Sequence, residues 1–372
     1  MSNAILPEIS FADTSPQAIE TAVIAGYEAA AGRKLYPGDP IRLFLTTVAA
    51  MIVQQRSLLD FCARQNLLQY AGGNYLDHLG ALFGVSRLPA ESARVTLRFT
   101  LSAAQPGAVT IPAGTRATPG GNVYFALTAD AVVLAGDTAI DVIATCTQVG
   151  DTGNDYLIGQ IDTIVDPQPW LQAVTNLDGS SGGAEIEDDD ALRERIRLAP
   201  TAFSTAGPVD AYRYWASSAS ALIADVAVLS PDPGEVRIYP LLQGGALPDA
   251  AMLAAVDAAC NDRRVRPLTD HVTAVAPTAV DYDITLTYYI DRARAISETA
   301  IKQAVDAAVD AYAVWQHGAL GRDINPSRLI AGLVNAGARR VVVTDPDYTE
   351  LAANEVAAMG TVAVTYGGLE DD

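Results

Sequence analysis

Histidine, cysteine and tryptophan are scarce in this chain, three of each in 372 residues, and 24 lysines and arginines face 44 aspartates and glutamates. Each shortage excludes something. His78, His271 and His317 share no helix face or short motif and have no Cys or acidic neighbour at zinc-ligand spacing, so no metal site is expected. Cys62, Cys146 and Cys260 are far apart, odd in number and without a second Cys at redox spacing, which predicts three buried small hydrophobes. A formal charge of −20 repels phosphate backbones, so nucleic acid is not an expected partner. Long apolar runs are missing too. The longest, residues 44–53, contains Thr46 and Thr47 and is too short to span a bilayer, so no membrane partner is expected. Met1-Ser2-Asn3-Ala4-Ile5-Leu6-Pro7-Glu8 shows no basic stretch followed by an apolar one, so no signal peptide is read there and assembly is expected in the cytoplasm.

The common catalytic signatures are also absent. There is no phosphate loop of the Gly-x-x-x-x-Gly-Lys kind, no dinucleotide fingerprint and no nucleophile elbow, so neither catalytic residues nor a cofactor are expected. Glu185, Glu187, Asp188, Asp189 and Asp190 lack the alternating ligands and central glycine of a calcium loop and read as a solvated helix start. A cell-wall glycosidase needs only two carboxylates and stays open as an alternative, although nothing singles out a pair among 44. A host-binding tail module is a further alternative, against which stand an aromatic content of 7% and only three tryptophans.

Half the residues are hydrophobic and the chain exceeds the size of one ordinary core, so the expected fold is multidomain α+β. Residues 1–88 read as an N-terminal helical region, 89–178 as a β domain, 179–245 as a mixed α/β domain and 246–372 as a C-terminal α+β domain. Within the helical region, Ile41, Leu45, Val48, Ile52, Gln55, Leu59 and Cys62 alternate spacings of four and three, an a/d seam sustained for three heptads. Phe44, Met51 and Leu58 repeat every seven residues beside it and widen the stripe. Both stripes are compatible with packing inside one helical domain or with a bundle of several chains.

Pro89 ends the helical pattern, and Val95, Leu97, Phe99 and Leu101 then alternate with polar residues as in a half-buried strand. Short apolar runs at 109–111, 124–127, 132–134, 140–144 and 161–165 follow, separated by Gly- and Pro-rich turns. Residues 89–92 and 176–183, rich in turn formers, read as flexible joints. Helices are expected at 209–220, 248–264, 297–315 and 326–336. Strands are expected at 223–229, 235–242, 280–290, 340–344 and 361–366.

Several of these punctuation motifs stand in a recognisable order. They are Gly72-Gly73-Asn74-Tyr75-Leu76-Asp77-His78-Leu79-Gly80, then Gly84-Val85-Ser86-Arg87, Ile111-Pro112-Ala113-Gly114-Thr115 and Gly150-Asp151-Thr152-Gly153-Asn154. After them come residues 176–183 ending in Gly183, Ser204-Thr205-Ala206-Gly207-Pro208, Arg266-Pro267-Leu268-Thr269-Asp270-His271 and Gly321-Arg322-Asp323-Ile324. Their order from about Tyr36 to Tyr366 resembles the baseplate J-like family of contractile phage tails. The resemblance implies a non-enzymatic wedge subunit of a virion tail baseplate. Its implied partners are a second conformer of itself, a tail-protein-I-like wedge subunit, a sheath-initiator-like (lysozyme-like) baseplate protein and the tail hub or spike. It also implies that Ile41, Phe44, Leu45, Val48, Met51, Ile52, Leu58 and Leu59 join a shared helical bundle and that the C-terminal domains pair between copies to close a ring. Most motif glycines and prolines are expected to shape turns and not to make direct contacts.

Overall fold

The computed structural model describes residues 6–203, 207–262 and 265–371. Residues 1–5, the motif residues Ser204, Thr205 and Ala206, and Arg264 at the expected end of a helix lie outside them. The chain divides into two units, one made of residues up to Ser86 together with Leu192–Ile196, the other of the remainder.

The first unit is helical because its sequence writes helix starts and stops explicitly. Ser15 and Asp39 cap α1 (Pro16–Ala31) and α2 (Pro40–Arg64), each followed by a proline that has no amide left to satisfy. Gly32 ends α1 at φ 64°, where a side chain would be strained. Glu28 then accepts the Leu35 amide at 2.7 Å and fixes the connection to α2. α3 (Asn74–Ala81) buries Leu76 completely. Gly80 admits no side chain there, since a Cβ would meet the Val85 carbonyl and the Ile196 side chain. Arg193 donates to the Leu68 and Ala71 carbonyls, both at 2.9 Å, and so ties residues 192–196 into this unit.

In the second unit, a six-stranded sheet is built from β1 (Arg94–Leu101), β3 (Arg116–Gly120), β4 (Val123–Leu127), β6 (Ala139–Cys146), β7 (Thr163–Ile164) and β8 (Leu171–Asn176). Its order is β7-β3-β4-β6-β1-β8, and β7 lies beside β8, so the sheet curls towards a barrel. A small pair, β2 (Val109–Ile111) and β5 (Ala131–Val133), accompanies it. The alternation read in β1 is the observed one: Val95, Leu97, Phe99 and Leu101 are buried against Phe125, Ala144 and Val174. Short or turn-rich strands, β3 and β8, carry no comparable alternation and went unread.

The stretches expected to be flexible joints are instead held by backbone pairing along the margin of the barrel. Glu91 and Ala184 exchange two backbone hydrogen bonds, at 2.8 and 3.0 Å, and Arg94 and Ser181 exchange two more. The polar composition of 176–183 satisfies buried backbone groups. Asn176 is fully buried, accepts the Ile161 amide at 3.0 Å and donates to the Leu157 and Asp178 carbonyls. The expected division at 178/179 therefore cuts through the packed margin of the barrel.

Next come α4 (Asp189–Leu198) and α5 (Val209–Ser217), then β9 (Ile223–Leu229), β10 (Glu235–Leu242), α6 (Ala250–Cys260) and β11 (His271–Ala274). The sheet order is β11-β10-β9, with β10 antiparallel to β9 and parallel to β11. Tyr212, Ala216, Ile238, Val256, Cys260 and Val272 form one core. α6 and β11 thus pack with α5 and β10, so the expected boundary at 245/246 falls inside a core and moves to the stretch after β11.

The C-terminal sheet has the order β13-β12-β14, from β12 (Thr278–Asp291), β13 (Arg340–Asp345) and β14 (Glu355–Glu370). Tyr282, Ile284, Leu286, Tyr288 and Ile290 project from β12 onto α7 (Glu298–His317) and α8 (Pro326–Asn335), as the alternation requires. Substituting Asn176→Ala would leave the Ile161 amide unsatisfied in the barrel wall and remove two donated bonds, costing about 3 kcal/mol. Denaturant unfolding of the full chain measures this loss.

Candidate assembly surfaces

All eight residues expected in the bundle lie on α2, a rod of 25 residues and about 37 Å. Helix α1 covers only part of it. Ala49 and Asp60 are buried, and Ile41, Leu45, Val48 and Ile52 are half-buried. The neighbouring heptad stripe is open: Phe44, Met51 and Leu58 are 67%, 56% and 55% exposed, and Leu59 is exposed as well. Leu43 and Phe61, five helical turns apart, extend the bare apolar area and were missed because neither fits a heptad. Phe61 stacks edge-on against the exposed Tyr75, with ring centroids 6.3 Å apart. Cys62 is exposed on the same helix, against the expectation of burial, whereas Cys146 and Cys260 are buried as expected. Burial pushes the Cys260 thiol up to about 12, so it stays protonated and inert.

Asp60 holds α2 to the segment before α1. It accepts the Phe11 amide at 2.6 Å and the Ser10 hydroxyl at 3.1 Å, and it pairs with Arg64 at 2.8 Å. These bonds, led by that from Phe11, hold its carboxyl below the ordinary carboxylate value.

The motif residues brace turns. Gly73 caps α3 at φ 52°, Leu76 fills the core of that unit, and Asp77 stands in the first turn of the helix. Arg87 donates to the Glu187 carbonyl at 2.6 Å and to Asp189 at 2.7 Å, while Glu187 accepts the Leu88 amide. The acidic run starts α4 as its composition suggests, with Asp189 and Asp190 in the first turn and Asp188 accepting the Ala191 amide, but it is only partly solvated, since Glu187 is nearly fully buried and Asp189 is ion-paired. Gly114 turns at φ 84°. Gly153 has no room for a Cβ between Cys146 and Ala93, and Asn154 exchanges two hydrogen bonds with Gly183, at 2.8 and 2.9 Å. Arg266 donates to the Asp270 carbonyl at 3.0 Å, and Pro267 lies against Gly207. Gly321 turns at φ 61°, Arg322 stacks on Trp315, and Asp323 accepts the Leu351 amide and the Tyr348 hydroxyl.

No group of three His, Cys, Asp or Glu is placed to hold a metal ion among the described residues. No helix among them is long and apolar enough to cross a membrane. A cleft of about 390 Å³ is lined by Arg94, Asp178, Ser181, Asp249 and Met252 among others. Two of its carboxylates already serve the fold, Asp178 accepting from Thr96 and Asp249 capping α6.

A helical unit with a bare apolar stripe is followed along the chain by a series of small β-containing domains. Four family models match it in sequence: the Baseplate J-like N-terminal domain at residues 38–93, the barrel domain at 96–183, the central domain at 204–276 and the C-terminal domain at 282–365. The chain belongs to the baseplate J-like family. It is 36% identical over 167 residues to "Baseplate protein J" of Escherichia phage P2, covering 44% of this chain and 53% of that one. It is 28% identical over 207 residues to "Uncharacterized protein YqbT" of Bacillus subtilis (strain 168), covering 56% and 51%. The chain thus spans about half the length of the curated relatives it matches. Among solved structures, a chain of the anti-feeding prophage (AFP) baseplate is similar over 92% of this chain and 90% of its own, with a TM-score of 0.42 and 14% identity.

Because the Asp60 carboxyl is held low, its contribution is present above the unfolded value of about 4 and is lost as pH falls through the folded one. Protection of the Phe11 amide against hydrogen exchange, taken relative to the intrinsic rate at each pH, should accordingly fall below about pH 4. In Asp60→Ala that protection should be missing at every pH.

Proposed function

We propose that this chain is a structural wedge subunit of the baseplate of a contractile phage tail or related injection machine. The observation that carries the reading is the bare stripe of Phe44, Met51 and Leu58 on α2. An apolar strip of that length, open on the side away from α1, costs free energy in water and is relieved when other helices cover it. Its occupants in this reading are the helices of a tail-protein-I-like subunit and of a second, differently arranged copy of this chain. The half-buried seam of Ile41, Leu45, Val48 and Ile52 borders the same bundle. The C-terminal domains pair between copies to close a ring around the hub or spike, with a sheath-initiator-like (lysozyme-like) protein as neighbour. The family membership and the similarity to "Baseplate protein J" of phage P2 support this reading.

Its role is mechanical, and no catalytic residue or cofactor enters it. The particle is assembled in the host cytoplasm and the chain remains in the virion tail. A charge of −20 is consistent with neither nucleic acid nor an anionic membrane surface as a partner.

Met51 and Leu58 are better probes of the bundle than Ile52, whose half-buried position makes it serve the fold of the helical unit as well. The M51D/L58D variant should keep its circular dichroism spectrum and melting temperature. Its affinity for the tail-protein-I-like subunit should fall by about 100-fold or more, as expected for roughly 3 kcal/mol of lost apolar burial. Co-purification at wild-type yield would exclude α2 as the bundle helix.

A further inference from the structure

Charge on α2 is confined to the side turned to α1 and its flanking segments. The charged residues of the helix are Arg42, Arg56, Asp60 and Arg64. Arg42, Ala49 and Arg56 lie seven apart, Asp60 and Arg64 continue the row in steps of four, and Ala49 within it is buried. Arg42 donates to the Leu35 carbonyl at 3.3 Å, Arg56 to the Asp13 carbonyl at 3.5 Å, and Asp60 pairs with Arg64. The stripe of Phe44, Met51 and Leu58 lies about 200° round the helix from that row. It carries no charge, and its polar members are Thr47, Gln54 and Gln55, all exposed.

This distribution is the reverse of a solvated helix, whose outer face is the charged one. In helical bundles, charges flanking the apolar seam ordinarily choose partner and direction. Here they are missing, so discrimination falls to the polar side chains within the stripe. Gln55 is the single polar position of the seam from Ile41 to Cys62. Once a bundle covers it, its amide must find a hydrogen-bond partner or lose those it had in water. A primary amide both donates and accepts, so an identical side chain opposite satisfies it. Phe44 and Cys62 are five whole turns apart and share one side of the helix. Two α2 helices laid antiparallel, with Phe44 against Cys62, would set each Gln55 against Met51, whose thioether is a poor acceptor. Laid parallel and in register, Gln55 meets Gln55 and the apolar layers meet each other.

We infer that Gln55 sets the direction and register of the bundle: the α2 helices of two copies lie parallel, with their Gln55 amides paired inside an otherwise uncharged interface. The inference rests on the bundle in the proposed function and names the residue that gives it specificity. A buried amide at one seam position fixes register at some cost in affinity.

The test uses the complex of the full chain with the tail-protein-I-like subunit, treated with a short bis-maleimide. In F44C the exposed stripe has a thiol at either end, the native one being Cys62. Cross-links between copies should join position 62 to 62 and 44 to 44, with none from 44 to 62. F44C/Q55L should keep its fold, since position 55 is exposed, and should bind at least as tightly, but links from 44 to 62 should now form as well. F44C/Q55N, which keeps an amide, should restore the exclusive pattern. Links from 44 to 62 in F44C itself, no link between copies, an unchanged pattern in F44C/Q55L or a mixed one in F44C/Q55N would each overturn the role of Gln55 and leave the bundle standing. Failure of the unsubstituted chain to form the complex would overturn the bundle and this inference with it.

Discussion

The second unit depends on a clasp at the base of the barrel, where residues 87–94 lie against 181–189. Four backbone bonds join Glu91 to Ala184 and Arg94 to Ser181, and the Asn154 side chain closes over Gly183 with two more. Arg87, Glu187 and Asp189 continue the contact outward. Backbone groups at this depth must be paired, and glycine at 183 is what allows the strands to approach, since a Cβ there would meet the Gly150 carbonyl and the Ala93 amide. The entry to the barrel and the exit from it are thereby one braced element, so a domain motion would have to hinge elsewhere.

On the proposed wedge reading that bracing bears on how force is carried, because a displacement passed from one interface to another must not be dissipated in loose linkers. Paired entry and exit strands serve that purpose, and the sheets on either side are anchored by their own cores. The surface proposed for partners differs in kind from these cores. The α2 stripe is apolar and helical, suited to side-chain packing in a bundle.

Much of this architecture was legible in the residues, for reasons that also explain the misses. β1 and β12 alternate so regularly that their buried faces could be named residue by residue, and α1 and α2 carry cap residues that mark their starts. β3, β8 and β11 are short or contain glycine, proline and asparagine, and their pairing is fixed by partners distant in sequence. Residues 176–183 misled because a polar, glycine-rich stretch looks the same whether it is solvated or spent on satisfying buried backbone groups. The stripe on α2 was readable from its seven-residue period, but which part of the helix α1 would cover was not. Leu43 and Phe61 joined the bare surface unannounced, since they follow the helical turn and not the heptad.

Cys62 provides a native probe of the central claim, because it lies exposed on α2 while Cys146 and Cys260 are buried. The measurement is its rate of alkylation in the isolated chain and in intact purified particles. If α2 is the helix that enters the bundle, Cys62 reacts readily in the isolated chain and is strongly protected in the particle. Equal rates in the two states would contradict the assignment.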